Sequence, residues 1–236
     1  ELPSRDVLDR GAYLLAAFGA AGKGNKQGAA TLILLADTGP DLPHVTIIDR
    51  AIGMELLVAA AADVEDIDTA QAWLDRMEKL DGHPVAAPPL YRARSRVALI
   101  RGDLSAAISH AEQAIETATA DGRVVELAES RLVLASAQIA NGDIRAASRL
   151  LRSEVTASDS LGFHAVRRAA TEVLRPAGRR LPPRRAGGWD VLSTRETEVA
   201  NLVLSGLDHK QIAAQLFLSP ATVRVHISRA LAAFGV

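Results

Sequence analysis

Near the end of the chain, Ala221, Thr222, Arg224, Val225, Ser228 and Arg229 fall on one side of a helix of 3.6 residues per turn. Val223, Ile227, Ala230 and Leu231 fall on the other side. The first side is small or basic and carries no acid, so it suits entry into a negatively charged groove. The second is spaced to be buried. Lys210, a little upstream, is a further cation for phosphate. His226 lies beside the apolar side and is balanced between a phosphate contact and a structural hydrogen bond. Arg229 is balanced between phosphate and an ion pair with an acid such as Glu196.

Covalent and metal chemistry have no comparable footing. The chain has no Cys, which removes disulfides, thiolate metal sites and thiol nucleophiles together. His44, His83, His110, His164 and His209 are scattered, without an HExxH pattern or other metal-ligand spacing, and read as loop or surface residues. No Ser stands in a G-x-S-x-G nucleophile motif. Gly19-Ala-Ala-Gly-Lys-Gly24 lacks the Gly-x4-Gly-Lys-Ser/Thr spacing of a nucleotide loop. No enzyme activity, cofactor or metal is expected.

Three short helices must hold the basic face. Ser193-Thr-Arg-Glu196 is a capping box that opens a helix through Val199, Leu202 and Val203, and Gly206 ends it. Asp208-His-Lys-Gln211 is a second N-terminus of the same kind, leading to Ile212, Ala213 and Leu216. Ser219-Pro220 places an N-cap before a proline at the first helical position, where no N–H is needed. A tight turn between the second and third helices is the helix-turn-helix arrangement.

Upstream the period is helical almost throughout. Leu104, Ala107, Ile108, Ala111, Ile115 and Ala118 share one face, and Ala128, Leu132, Ala135 and Ile139 share another. Asp81-Gly82, Gly102-Asp103, Asp121-Gly122 and Asn141-Gly142-Asp143 punctuate them, glycine stopping one helix and aspartate capping the next. The punctuation repeats. Gly102-Asp-Leu-Ser-Ala-Ala107 returns as Gly142-Asp-Ile-Arg-Ala-Ala147, with a weaker copy at Glu65-Asp-Ile-Asp-Thr-Ala70, at spacings of 37 and 40 residues. Such spacings describe an array of helical hairpins. Residues 1–62 read as more of the same with irregular punctuation, including Gly22 to Gly28.

Composition agrees. Of 236 residues 48 % are apolar but only 3 % aromatic, which favours packed helices and excludes disorder. The apolar stretch Ala51 to Ala62 is interrupted by Glu55 and falls short of the roughly 20 residues of a membrane span. Tyr13 to Ala21 follows acids as well as bases, unlike a signal peptide, and cytoplasm is expected. The net charge of −1 hides an uneven distribution. From Arg175 onward nine Lys/Arg face four Asp/Glu, whereas the preceding residues hold 18 bases and 24 acids. Much of the excess lies in 175–188, a Pro-, Gly- and Arg-rich linker, read as either a solvated tether or a basic arm that meets phosphate.

Leu192-Ser-Thr-Arg-Glu196, Gly206-Leu-Asp-His-Lys-Gln-Ile-Ala213 and Leu218-Ser-Pro-Ala-Thr-Val-Arg-Val-His226 together resemble the LuxR-type (GerE-like) DNA-binding domain. The resemblance implies a four-helix domain whose third helix reads the major groove of double-stranded DNA. By position, Arg224 and Val225 would face base edges, while Lys210, Ser219, Thr222 and His226 would lie near phosphates. Arginine pairs with guanine O6 and N7, and valine can touch a thymine methyl. Ser228 departs from the resemblance, since basic residues are frequent there. The sequence ends at Val236, where the family's fourth helix, often a dimer contact, is expected to begin.

The upstream hairpins are similar to tetratricopeptide repeats, although their period is longer and most signature aromatics are absent. The combination resembles the C-terminal part of the large ATP-dependent (MalT-like) regulators, so Glu1 is expected to fall inside a longer protein and any NTPase part outside these residues. The expected organisation is all-α: a helical-hairpin (TPR-like) solenoid over 1–174, the linker 175–188, and a LuxR-type helix-turn-helix over 189–236. The expected function is a sequence-specific transcriptional regulator. Its repeats would bind an inducer or protein partner, or set the geometry of a homodimer. Trp73, Tyr91 and Phe163 are expected in the core or a hairpin groove. The alternative is a protein-interaction or small-molecule sensor module with the helix-turn-helix as a passive or occluded output.

Overall fold

The computed structural model describes residues 7–37, 39–160, 164–181 and 188–234; Phe163, Arg184 and Arg185 lie outside them. Among the described residues all regular structure is helical, and none of the helices is long and apolar enough to cross a membrane. The chain divides into two compact units, Glu1–Pro182 and Pro183–Val236.

The first unit is a series of antiparallel helical hairpins: α1 (Val7–Gly22) with α2 (Lys26–Ala36), α3 (Ile47–Asp63) with α4 (Ile67–Met77), α5 (Ala87–Ile100) with α6 (Leu104–Ala120), and α7 (Val124–Ala140) with α8 (Ile144–Ser160). A further helix, α9 (His164–Leu174), packs on α7 and α8. One turn closes every hairpin. Gly102 is left-handed (φ 80°), its N–H bonds to Leu99 O, and the Asp103 N–H bonds to Ala98 O. Gly142-Asp143 repeats those bonds, and so does Gly24-Asn25 in the segment whose punctuation is irregular in the sequence. Glu65 holds the same place with φ 57°, although it is not glycine.

Asp66 and Asp103 cap α4 and α6 by accepting from Thr69 N and Ala106 N. The expected aspartate cap fails at Asp121. Because Asp121 precedes its glycine, it terminates α6, and Arg123 precedes α7 without a side-chain cap bond.

Small side chains set the helix spacing. Ala107, Ala111, Ala114 and Ala118 are all fully buried along α6, with Ile108 and Ile115 packed at the edge. Ser95 Oγ donates to Ala107 O across the α5–α6 hairpin at 2.7 Å. At Gly53 of α3 a Cβ would stand 3.3 Å from Ile33 Cδ1, so α2 and α3 touch where no side chain fits easily. Trp73 packs half-buried on this core and carries Arg76 over its ring, while Tyr91 stacks on His110.

A charge ladder, buried at Glu55 and Arg92 and open to solvent at Glu129, crosses the hairpins. Arg92 on α5 is completely enclosed, forks onto both Glu55 oxygens on α3 (Nε to Oε1 2.8 Å), and lies 3.1 Å from Glu129 on α7. Glu55 and Arg92 stand ten residues before the left-handed residue of their hairpin turns, Glu65 and Gly102, while Glu129 stands thirteen before Gly142.

Candidate nucleic-acid interface

The second unit is built from α10 (Thr194–Leu204), α11 (His209–Leu216) and α12 (Pro220–Phe234), preceded by a short 3-10 turn over Gly188–Val191. Both expected capping boxes are present and reciprocal, Ser193 with Glu196 and Asp208 with Gln211. Ser193 hydrogen bonds hold the Glu196 carboxyl below its ordinary range, with smaller help from the charges of Arg229 and His226. The Gln211 and Lys210 amides do the same for Asp208.

Val199, Ile212, Ala213 and Val223 form the core, with Leu202, Leu216, Leu218 and Ile227 packed around it. Leu231, expected on the buried face, is not in it, and neither is Val203. Val203 is 41 % exposed and Leu231 48 % exposed. Each lies one residue, about 100°, past the last position on its helix that faces so small a core.

The turn between α11 and α12 is tight because Phe217 is left-handed (φ 55°) and its N–H returns to Ala213 O. Its side chain is 96 % exposed. Arg195 on α10 bridges to α11: its guanidinium donates to Leu216 O (3.2 Å) at the end of α11 and to Glu198 (2.8 Å) on its own helix. Ser219 Oγ accepts from Thr222 N (3.0 Å) and fixes the first turn of α12.

This scaffold leaves one side of α12 open. Ala221, Arg224, Val225, Ser228 and Arg229 are exposed and Thr222 is half-buried, with no acid among them. Lys210 is exposed in the first turn of α11. Ser219 and Thr222 spend their hydroxyls on each other at 2.8 Å. The His226 Nδ1 is buried without a hydrogen-bond partner, so the structural bond weighed for it does not form. No described acid lies within ion-pair distance of Arg229, although its charge reaches Glu196.

Two contacts escaped the sequence reading. His209, read as an isolated surface residue, accepts from Arg224 Nη2 at 3.2 Å through Nε2, tying the start of α11 to the middle of the open face. Trp189 meets Phe234 edge to face at 5.5 Å, joining the two ends of the unit. No periodicity links either pair; only the reversal of the chain between α11 and α12 brings the first together.

Comparison with known proteins agrees with this geometry. Residues 190–236 match the family described as bacterial regulatory proteins, luxR family. The protein named "Probable transcriptional regulatory protein NarL" of Mycobacterium tuberculosis is 30 % identical over 189 residues, covering 80 % of this chain and 73 % of that protein. The transcriptional regulatory protein UhpA of Salmonella typhimurium is 47 % identical over 51 residues, 22 % of this chain and 26 % of that one. Proteins named as HTH-type transcriptional regulators in Mycobacterium tuberculosis and Mycobacterium bovis are 42 % identical over 59 residues, a match that spans 25 % of this chain and only 7 % of theirs. No solved structure matches the chain.

Proposed function

The chain belongs to the luxR family of bacterial regulatory proteins, and on that premise we propose that it is a transcriptional regulator that reads duplex DNA sequence-specifically. The observation that carries this reading is the open side of α12, acid-free and centred on Arg224 and Val225. In this reading α12 enters the major groove. Arg224 forks onto guanine O6 and N7, and Val225 meets a thymine methyl. Lys210, Ser219, Thr222, His226 and Arg229 lie along the phosphates on either side, with Ser228 close to the bases. The helix N-termini of α11 and α12 contribute backbone N–H groups to the same phosphates. Residues near the junction, including Arg180, add charge.

The hairpins of the first unit, TPR-like in their turn and small-residue packing, bind a ligand or partner, set the spacing of two reading units in a homodimer, or both. Such division suits a module whose own cations are few, since a second copy doubles the phosphate contacts.

The test is fluorescence anisotropy on a site selected from random duplex DNA, for the native chain and Arg224→Ala. Losing a bidentate base contact should weaken binding by roughly 5- to 100-fold and relax the preference at one base pair. No selected sequence, or affinity indifferent to Arg224, would overturn the assignment.

A further inference from the structure

The last hairpin departs from its predecessors on one face. Aligned on their capping turns, α6 presents Ser105, Ile108, Ser109 and Glu112 where α8 presents Arg145, Ser148, Arg149 and Arg152. Spacings of three and four residues place each set on one side of its helix. A fourth arginine faces them from another element. After α9 the chain turns at Gly178 (φ 63°), the Arg179 N–H bonds to Leu174 O at 3.2 Å, and Leu181 packs onto the core shared with Leu151 and Val155. Arg179 is thereby fixed between two anchored leucines. Together Arg145, Ser148, Arg149, Arg152 and Arg179 line a cleft of about 360 Å³. It continues past Asp143 into a recess of about 480 Å³.

None of these four guanidinium groups has an ion pair or hydrogen bond among the described residues, and the nearby acids are engaged elsewhere. Glu154 is taken by Arg131, Asp159 by Arg167 and Glu172 by Arg175, while Asp143 accepts from Asn141 at 2.8 Å. Ser148 is a second, independent sign. Thr117, Ser130, Ser136, Thr156 and Thr171 each donate to the carbonyl four residues back in their helices. The Ser148 hydroxyl is buried on the wall of the cleft and has no partner. Four like charges around one cavity repel each other, and the fold makes no use of them.

We propose that this cleft binds a compact anion carrying two or more phosphate groups, held by forked bonds from Arg145, Arg149, Arg152 and Arg179 and by the Ser148 hydroxyl. Guanidinium donors match phosphate oxygens in pairs, and in this open cleft they converge on one ligand from two elements. The volume falls within the range of small-ligand pockets, about 300–1,000 Å³, and is too small for a duplex. The proposal deepens the reading of the hairpins as the ligand-responsive part and rests on it.

The test is calorimetric titration of the 236-residue chain with inorganic tripolyphosphate, at near-physiological salt so that diffuse attraction is screened. The expected result is one saturable site per chain, weakened about tenfold or more in Arg149→Gln/Arg152→Gln. Ser148→Ala should weaken it severalfold, Arg224→Ala should leave it unchanged, and citrate should bind far less tightly. Both arginines are exposed, and an unchanged melting temperature without tripolyphosphate verifies that the double variant folds. The absence of a saturable site, equal affinity in the double variant, equal affinity for citrate, or loss of binding in Arg224→Ala would each overturn the proposal. Anisotropy on the selected duplex is run with the same variants. If the double variant loses duplex binding while tripolyphosphate does not saturate, the arginines meet DNA backbone and the cleft has no small ligand. Failure of the DNA reading is recorded separately, by Arg224→Ala on the duplex alone.

Discussion

At the scale of single residues the first unit is held by a charge that the sequence presented only as an interruption. Glu55 breaks an apolar stretch, and the structure shows why it is tolerated: Arg92 forks onto it from the next hairpin. Truncating Arg92 to Ala leaves Glu55 buried beside Arg96, whose nearest nitrogen is 3.7 Å away and only partly replaces the lost bonds. Arg92→Ala should cost about 3–5 kcal/mol, as breaking a buried pair does, read as a lower urea midpoint. A Met of similar length, which removes the cation without leaving a void, should still cost most of that, because the carboxylate stays unpaired. Only the Glu55–Arg92 pair was legible in principle, since both stand ten residues before their hairpin turns. Apolar periodicity does not show it, because the two equivalent positions carry opposite charges. His209 was not legible at all: its contact with Arg224 depends on the angle between two helices, which no local spacing encodes.

Individual helices and turns were the most readable features. Ser193, Asp208 and Ser219 cap the three helices of the second unit where their side-chain chemistry requires. The shared hairpin turn imposes a left-handed residue even where Glu65 supplies a Cβ that resists it. Glu65→Gly should therefore raise stability by about 1 kcal/mol, seen as a higher melting temperature, whereas Gly102→Ala should lower it by at least as much. The capping carboxylates give the second unit a definite acid limit. Glu196 and Asp208 have folded-state values held below their ordinary ones by the bonds they accept, so their contribution is complete at neutral pH. It is lost as pH falls through the carboxylate range toward those lowered values. Acid titration of helicity should show this loss, and Glu196→Gln with Asp208→Asn should flatten it. The misread position was the edge of a face, Leu231, where apolar spacing is right but the core is too narrow to reach it.

For the whole molecule, charge is the controlling quantity. In the second unit Arg195 is paired with Glu198, which leaves Lys210, Arg224 and Arg229 as the cations without an acid at ion-pair distance among the described residues. Lys210 and Arg229 are the two of these that face phosphate, so with about 0.9 counterions released per phosphate neutralised, duplex binding by one such unit should fall with salt at a logarithmic slope near −2. Two units acting together should approach twice that, so the slope itself reports assembly. The division between an acidic hairpin array and a basic C-terminal region was visible in the sequence as a shift of charge. The arginine-lined cleft was hidden inside that same shift, because α8 counts as part of an acidic domain until its faces are separated.

The fully buried alanines of α6 have a mechanical consequence. An alanine has no side-chain rotamers, so at these four positions α6 itself has nothing to repack when it is displaced. On the proposal above, a push delivered at one end of the array by a ligand drawing α8 toward Arg179 would travel more as translation of one helix against the next than as repacking. In that case the hairpins would act less like a cushion than like a stack of rods, with stiffness as the signal-carrying property.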